Sequence, residues 1–159
     1  MDRETREIVS ESSRETYQWG LSLAAVLRSG DVVAMTGNLG SGKTVLAKGI
    51  CAGLDVAVPV TSPSFAIIQE YPGPRPVAHF DFYRLESPDA IEALGVAETY
   101  WEGPWISLVE WAERAGSLLP PDHIAVRMDR EYGNRKLKEN QRRLIIRAPA
   151  GRGLPGLAI

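Results

Sequence analysis

The sequence predicts an α/β fold with a mixed central sheet, an antiparallel hairpin within it and helices on both faces. Three observations carry this reading. An apolar run, Val32-Val33-Ala34-Met35-Thr36, leads into the glycine-rich Gly37-Asn38-Leu39-Gly40-Ser41-Gly42-Lys43-Thr44 and then into a helix-compatible stretch, Val45 to Ala52. Phe65–Tyr71 and Val77–Tyr83 alternate around the turn Pro72-Gly73-Pro74-Arg75, the pattern of an antiparallel hairpin. Further apolar runs, Trp105–Glu110, His123–Met128 and Arg143–Ala148, have strand length. A hairpin beside a strand–loop–helix unit makes the sheet mixed.

The first unit matches G-x-x-x-x-G-K-[ST] in the strand-to-helix setting that phosphate binding requires. Asn38, Leu39, Gly40, Ser41 and Gly42 supply backbone N–H groups to a phosphate, helped by the positive end of the following helix. Lys43 neutralises the outer phosphates and the Thr44 hydroxyl ligates Mg²⁺. The fold is therefore P-loop NTPase-like and its ligand a nucleoside polyphosphate. No Asn-Lys-x-Asp segment for guanine is present, which favours ATP.

Whole-chain properties set the frame. A chain of 159 residues, 44% hydrophobic and 24% charged, suits one domain with a sizeable core. A net charge of −2 gives no overall signature of a polyanion binder. Cys51 is the single cysteine, so no internal disulfide forms, and on the P-loop helix it reads as a small buried hydrophobe. No apolar leader or membrane-length run is visible, which predicts a cytoplasmic protein without membrane attachment.

In chain order, residues 1–11 are polar and read as frayed. Ser12-Ser13-Arg14-Glu15 is a capping box that opens a helix to about Leu27, with Trp19, Leu23, Val26 and Leu27 as its core stripe. The P-loop helix ends near Gly53, and Gly49 inside it points to close packing against a strand. Thr61-Ser62-Pro63-Ser64-Phe65 reads as an ordered loop, either a plain turn or a switch beside the nucleotide. Ser87-Pro88-Asp89-Ala90 opens a short helix ending near Gly95. The tail from Pro149 reads as flexible, leaving a domain over residues 12–148.

A P-loop needs a further carboxylate, normally closing a neighbouring apolar strand. Asp81 and Glu110 both qualify, and both serve if one ligates Mg²⁺ and the other orients water. His79, between aromatics, reads as a core histidine ahead of a role near the phosphates. Trp111 reads as a core or interface residue, or as a contact to nucleotide or partner. Arg84 and Arg114 could stabilise phosphate charge or pair with nearby acids. Residues 127–147 carry eight basic residues against three acids. With Tyr132 the lone stacking aromatic there, a solvated loop is favoured over an RNA contact.

Taken together, Gly37–Thr44, Thr61–Phe65, His79-Phe80-Asp81-Phe82-Tyr83-Arg84-Leu85 and Val109-Glu110-Trp111-Ala112-Glu113-Arg114 resemble the TsaE (YjeE) family over residues 12–148. Glu15-Thr16 matches as well. The resemblance implies a slow ATPase working with TsaD-like and TsaB-like proteins. Those partners place threonylcarbamoyl on adenosine 37 of tRNAs reading ANN codons, and tRNA would be met through the complex. It implies that Lys43, Asp81 and Glu110 carry catalysis and that Thr44, Glu110 and Asp81 surround Mg²⁺. Thr16 and Trp111 would flank the nucleotide. Asn38, Phe65 and Phe82 depart from the commoner aspartate, tyrosine and leucine, and none of the three removes a phosphate or metal ligand. The competing readings are a small-molecule kinase and a nucleotide sensor that does not hydrolyse ATP.

Overall fold

The structure, a computed structural model, describes residues 2–132 and 134–154. Strands β1 (Arg3–Ser10), β2 (Val32–Thr36), β3 (Ile68–Tyr71), β4 (Val77–Asp81), β5 (Ile106–Glu110), β6 (Ile124–Asp129) and β9 (Arg142–Pro149) form one sheet, ordered β1-β9-β6-β2-β5-β4-β3. The central strands β6, β2, β5 and β4 run parallel, while β3, β9 and β1 join antiparallel. Strands β7 (Glu131–Tyr132) and β8 (Arg135–Lys136) form a separate small hairpin. Helices α1 (Ser13–Ala24) and α2 (Lys43–Gly53) cover one face. Helix α3 (Pro88–Ala93) and a π-helical turn, Ala97–Trp101, cover the other.

Side-chain alternation explains the two layers. On β2, Val33 and Met35 join Leu46, Ile50, Leu108 and Val126 under α1 and α2. Val32 and Ala34 face the opposite way, toward Phe80, Phe82, Ile91 and Trp101. There Phe80 meets Tyr100 edge-on at 5.2 Å between ring centroids.

The capping box forms with a shift of one residue. Ser12 Oγ accepts from Glu15 N at 3.1 Å, but the Glu15 carboxylate accepts from Glu11 N at 2.8 Å rather than from Ser12. Trp19, Leu23 and Leu27 are buried as the periodicity predicts, with Val26 half-buried.

Three expectations are corrected. Residues 3–10 are not frayed: β1 pairs along its whole length with β9, from Arg3 opposite Pro149 to Ser10 opposite Arg142. An edge strand with one wet face shows little hydrophobic signal, and the unpaired edge of β9 supplies its template. The tail is held as far as Leu154, which is buried. Arg152 pairs with Asp31 and donates to the Val26 carbonyl at 3.0 Å. The ordered body thus runs past the predicted 12–148; Met1 and residues 155–159 lie outside the described residues. Finally, Gly49 packs against α1 and not against a strand. A Cβ on Gly49 would sit 2.1 Å from the Tyr17 carbonyl oxygen, and one on Gly20 would sit 2.5 Å from that of Leu46. The two glycines let α1 and α2 touch backbone to backbone.

Cys51 is fully buried on α2, where desolvation pushes its thiol up to about 12. The thiolate is the reactive form, so iodoacetamide at pH 8 should leave Cys51 unmodified in the native protein and alkylate it in denaturant. Mass spectrometry with and without guanidinium checks this. Rapid native alkylation would contradict the burial.

Candidate nucleotide site

The parallel strands bring their carboxyl ends to one edge, where ligands collect in open α/β sheets. Asp81 and Glu110 stand opposite each other in the β4–β5 register, and Glu110 stands opposite Met35 of β2. The loop leaving β2 lies directly beside them.

Its backbone is feasible only with glycine at key points. Gly37 has φ of 143°, and a Cβ there would meet the Met128 carbonyl oxygen at 2.3 Å. Gly42 is left-handed at φ 102° and caps α2, whose first residue is Lys43. Ser41 N donates to the Asn38 carbonyl at 3.0 Å, closing the turn.

Lys43 is 5% exposed and folds inside this loop. Its ammonium donates to the carbonyls of Gly37 and Asn38 and to Ser41 Oγ, and it lies 4.3 Å from the Trp111 ring centroid. Burial pushes its pKa below the usual lysine value, and the charges of Glu110, Glu113 and Asp81 oppose that shift.

Both carboxylates are held by named donors. Thr44 Oγ1 donates to Glu110 Oε1 at 2.7 Å, and His79 Nε2 lies 2.6 Å from Glu110 Oε2. Asp81 Oδ2 accepts from Ser62 Oγ at 2.8 Å and Ser64 Oγ at 3.2 Å, while Oδ1 accepts from Tyr83 N at 2.9 Å. The Thr61–Phe65 loop is thereby tied to Asp81. Its next turn is strained: Ile67 is β-branched at φ 70° while its carbonyl accepts from Asp81 N at 2.9 Å.

These groups line a cavity of about 430 Å³ that includes Leu39–Val45, Ser62, Ser64, Asp81, Glu110, Trp111 and Arg142. A slightly larger cavity, about 480 Å³, lies between the end of α2 and the β3–β4 turn. Its walls are chiefly apolar, and it contains none of the P-loop groups. Volume does not decide between them; the converging cation, hydroxyl and carboxylates belong to the P-loop cavity.

The predicted site residues are therefore brought together with two reservations. Thr16 is buried beside Gly42, but its hydroxyl is already bonded to Ser10 Oγ at 2.7 Å, and it lines only a small adjoining recess. Asn38 offers its carbonyl to Lys43 and lines a neighbouring basic recess with Arg127, Arg130 and Lys136. Leu39 is 76% exposed at the loop tip. Trp111, left-handed at φ 57°, lies against Tyr83 with ring centroids 4.9 Å apart and joins Lys43 at the cavity wall.

Sequence reading undervalued two residues. His79 is fully buried yet reaches Glu110, a pairing across strands that spacing along one strand does not reveal. Arg142 lies far along the chain in the basic run. Its guanidinium donates to the Gly40 carbonyl from Nη2 at 2.9 Å, holding the P-loop from the β9 side. Arg84 instead stacks on Phe65 at 4.3 Å, and Arg114 donates to the Leu85 carbonyl at 3.3 Å.

Comparison with known proteins gives a single answer. The Treponema pallidum protein named tRNA threonylcarbamoyladenosine biosynthesis protein TsaE is 35% identical over 118 residues, covering 74% of this chain and 87% of that one. The Bacillus subtilis protein of the same name is 42% identical over 104 residues, covering 65% and 64%. The crystal structure of Bacillus subtilis YdiB superposes with a TM-score of 0.73 at 28% identity, covering 93% of this chain and 88% of that one. The model of the family described as threonylcarbamoyl adenosine biosynthesis protein TsaE matches residues 10–140, a span that holds the P-loop, both carboxylates and Trp111. On this agreement of sequence and fold, the chain belongs to the TsaE family.

Proposed function

We propose that this protein is a Mg²⁺-dependent ATPase that drives formation of threonylcarbamoyladenosine at position 37 of tRNAs reading ANN codons, in concert with TsaD-like and TsaB-like proteins in the cytoplasm. Its relatives are named for threonylcarbamoyladenosine biosynthesis, which supports the pathway. The observation that carries the chemistry is the Thr44–Glu110 pair beside a P-loop lysine.

The donor set fits Mg²⁺. A hydroxyl and a carboxylate oxygen 2.7 Å apart are hard oxygen ligands, and no cluster of three or more His, Cys, Asp or Glu side chains able to hold a metal is found among the described residues. Mg²⁺ prefers such sparse protein ligation, because phosphates and water complete its shell. When bound, the ion neutralises charge on the phosphates and orients them.

The chain's own groups do the rest. N–H groups of Asn38–Thr44 bind the phosphates, and Lys43 stabilises the charge that grows on the bridging oxygen as the bond to the γ-phosphate breaks. Asp81, oriented by Ser62, Ser64 and the Tyr83 amide, holds the attacking water. Trp111 shields the ammonium from solvent on one side. The products are ADP and phosphate, with no phosphoryl acceptor other than water. Because Asp81 is tied to the Ser62–Ser64 loop, a partner pressing on that loop alters the water-binding acid directly.

Single-turnover phosphate release tests this reading. The expected result is slow release by the isolated protein, accelerated at least tenfold by TsaD-like and TsaB-like partners together. Transfer of labelled γ-phosphate to a metabolite would make the protein a kinase. ATP binding without release, alone or with partners, would make it a sensor.

A further inference from the structure

The wall beneath Glu110 contains a residue that the hydrolytic reading leaves unused. His79 is fully buried on β4, its side chain on the same face as Asp81. Nε2 lies 2.6 Å from Glu110 Oε2, and Nδ1 meets no hydrogen-bond partner. A carboxylate only accepts, so the ring proton on this contact is assigned to Nε2.

Burying an imidazole with one orphaned nitrogen carries a desolvation cost that an aliphatic side chain would avoid. The surroundings would suit one: Leu108 is opposite in the β4–β5 register, and Val77 and Ile106 on the same face are buried. The histidine is therefore not explained by packing. What it adds is a donor to a single atom. Glu110 takes one bond on each oxygen, Thr44 on Oε1 and His79 on Oε2, so both ends of the carboxylate are fixed. The Thr44 hydroxyl also faces the cation site, whereas the His79 bond is to the other oxygen.

We infer that His79 is a positioning residue for the cation site: it holds the Glu110 carboxylate in the orientation that, with Thr44, receives a divalent ion. The inference rests on the Mg²⁺ reading above and adds a determinant of metal affinity that does not touch the metal. Carboxylate ligands commonly depend on such outer hydrogen bonds, whose removal costs 10- to 100-fold in affinity.

The test measures metal binding without turnover. Mn²⁺ is titrated into the protein–ADP complex and free Mn²⁺ is read by electron paramagnetic resonance. The variants are His79→Gln, His79→Asn and His79→Leu. The glutamine amide reaches as far as Nε2 and can still donate, but the asparagine amide stops near the position of Nδ1. The Mn²⁺ dissociation constant is expected to rise 10- to 100-fold in His79→Asn and His79→Leu and less than threefold in His79→Gln. ADP affinity in EDTA should stay at the wild-type value in all of them. Equal Mn²⁺ affinity in wild type and His79→Asn would overturn the inference, as would a parallel loss of ADP affinity in EDTA, which signals collapsed packing. If His79→Leu does not fold, the Gln and Asn pair decides. A wild-type ADP complex that binds no Mn²⁺ would instead remove the metal reading itself.

Discussion

Lys43→Ala is expected to lower the single-turnover rate of ATP hydrolysis by 10²- to 10³-fold, about 3–4 kcal/mol of transition-state stabilisation. The magnitude follows from the surroundings of the ammonium. It is 5% exposed, so its field is screened far less than that of a surface lysine. Its carbonyl partners, Gly37 and Asn38, belong to the glycine-rich loop, so the lysine both shapes the loop and supplies the charge. Lys43→Arg should not restore the rate, because a planar guanidinium is too large for the position between the loop carbonyls and Trp111. Thermal melting of the same variants separates a lost charge from a lost fold. A Lys43→Ala protein that melts normally and hydrolyses ATP within twofold of wild type would refute the assignment.

Gly49→Ala should destabilise the protein by about 3 kcal/mol, the upper end of ordinary overpacking. In an isolated helix the same change would stabilise by about 1 kcal/mol, since alanine is the better helix former. The sign reverses because the new Cβ would lie 2.1 Å from the Tyr17 carbonyl oxygen, and backbone cannot rotate away as a side chain can. For a domain of this size the melting temperature should fall by roughly 6–12 °C. Gly20→Ala, on the facing helix, should act in the same direction, because its Cβ would meet the Leu46 carbonyl oxygen and the Gly49 backbone. A melting temperature raised by Gly49→Ala would show that helix propensity outweighs the contact.

Much of the site was legible because its signals are local. The P-loop binds through consecutive backbone groups, so Gly37–Thr44 announces itself in eight adjacent residues. Glu110 and Asp81 each close an apolar strand, a pattern that one short window displays. Helix α1, with a wet face and an apolar face, was readable from its periodicity, and β4 and β5, buried on both faces, from their continuous apolar runs. Strand β1 was not, because an edge strand is held mainly by main-chain bonds to β9, which leave little trace in side-chain composition. The fixed tail was hidden for a related reason. The Arg152–Asp31 pair spans most of the chain, and no pattern between the two predicts it.

The role of His79 marks the boundary most clearly. The sequence by itself determined that Gly37–Thr44 carries the P-loop pattern, that two carboxylates are available, and that the family resemblance runs through His79–Leu85 and Val109–Arg114. Only the tertiary structure decided which groups touch. It set Glu110 between Thr44 and His79, tied Asp81 to Ser62 and Ser64, and brought Arg142 onto Gly40. The physical reason is range. Phosphate binding by a loop needs backbone geometry encoded by neighbours in the chain, whereas orienting a carboxylate needs donors a few ångströms away in space, and parallel strands supply them from residues tens of positions apart.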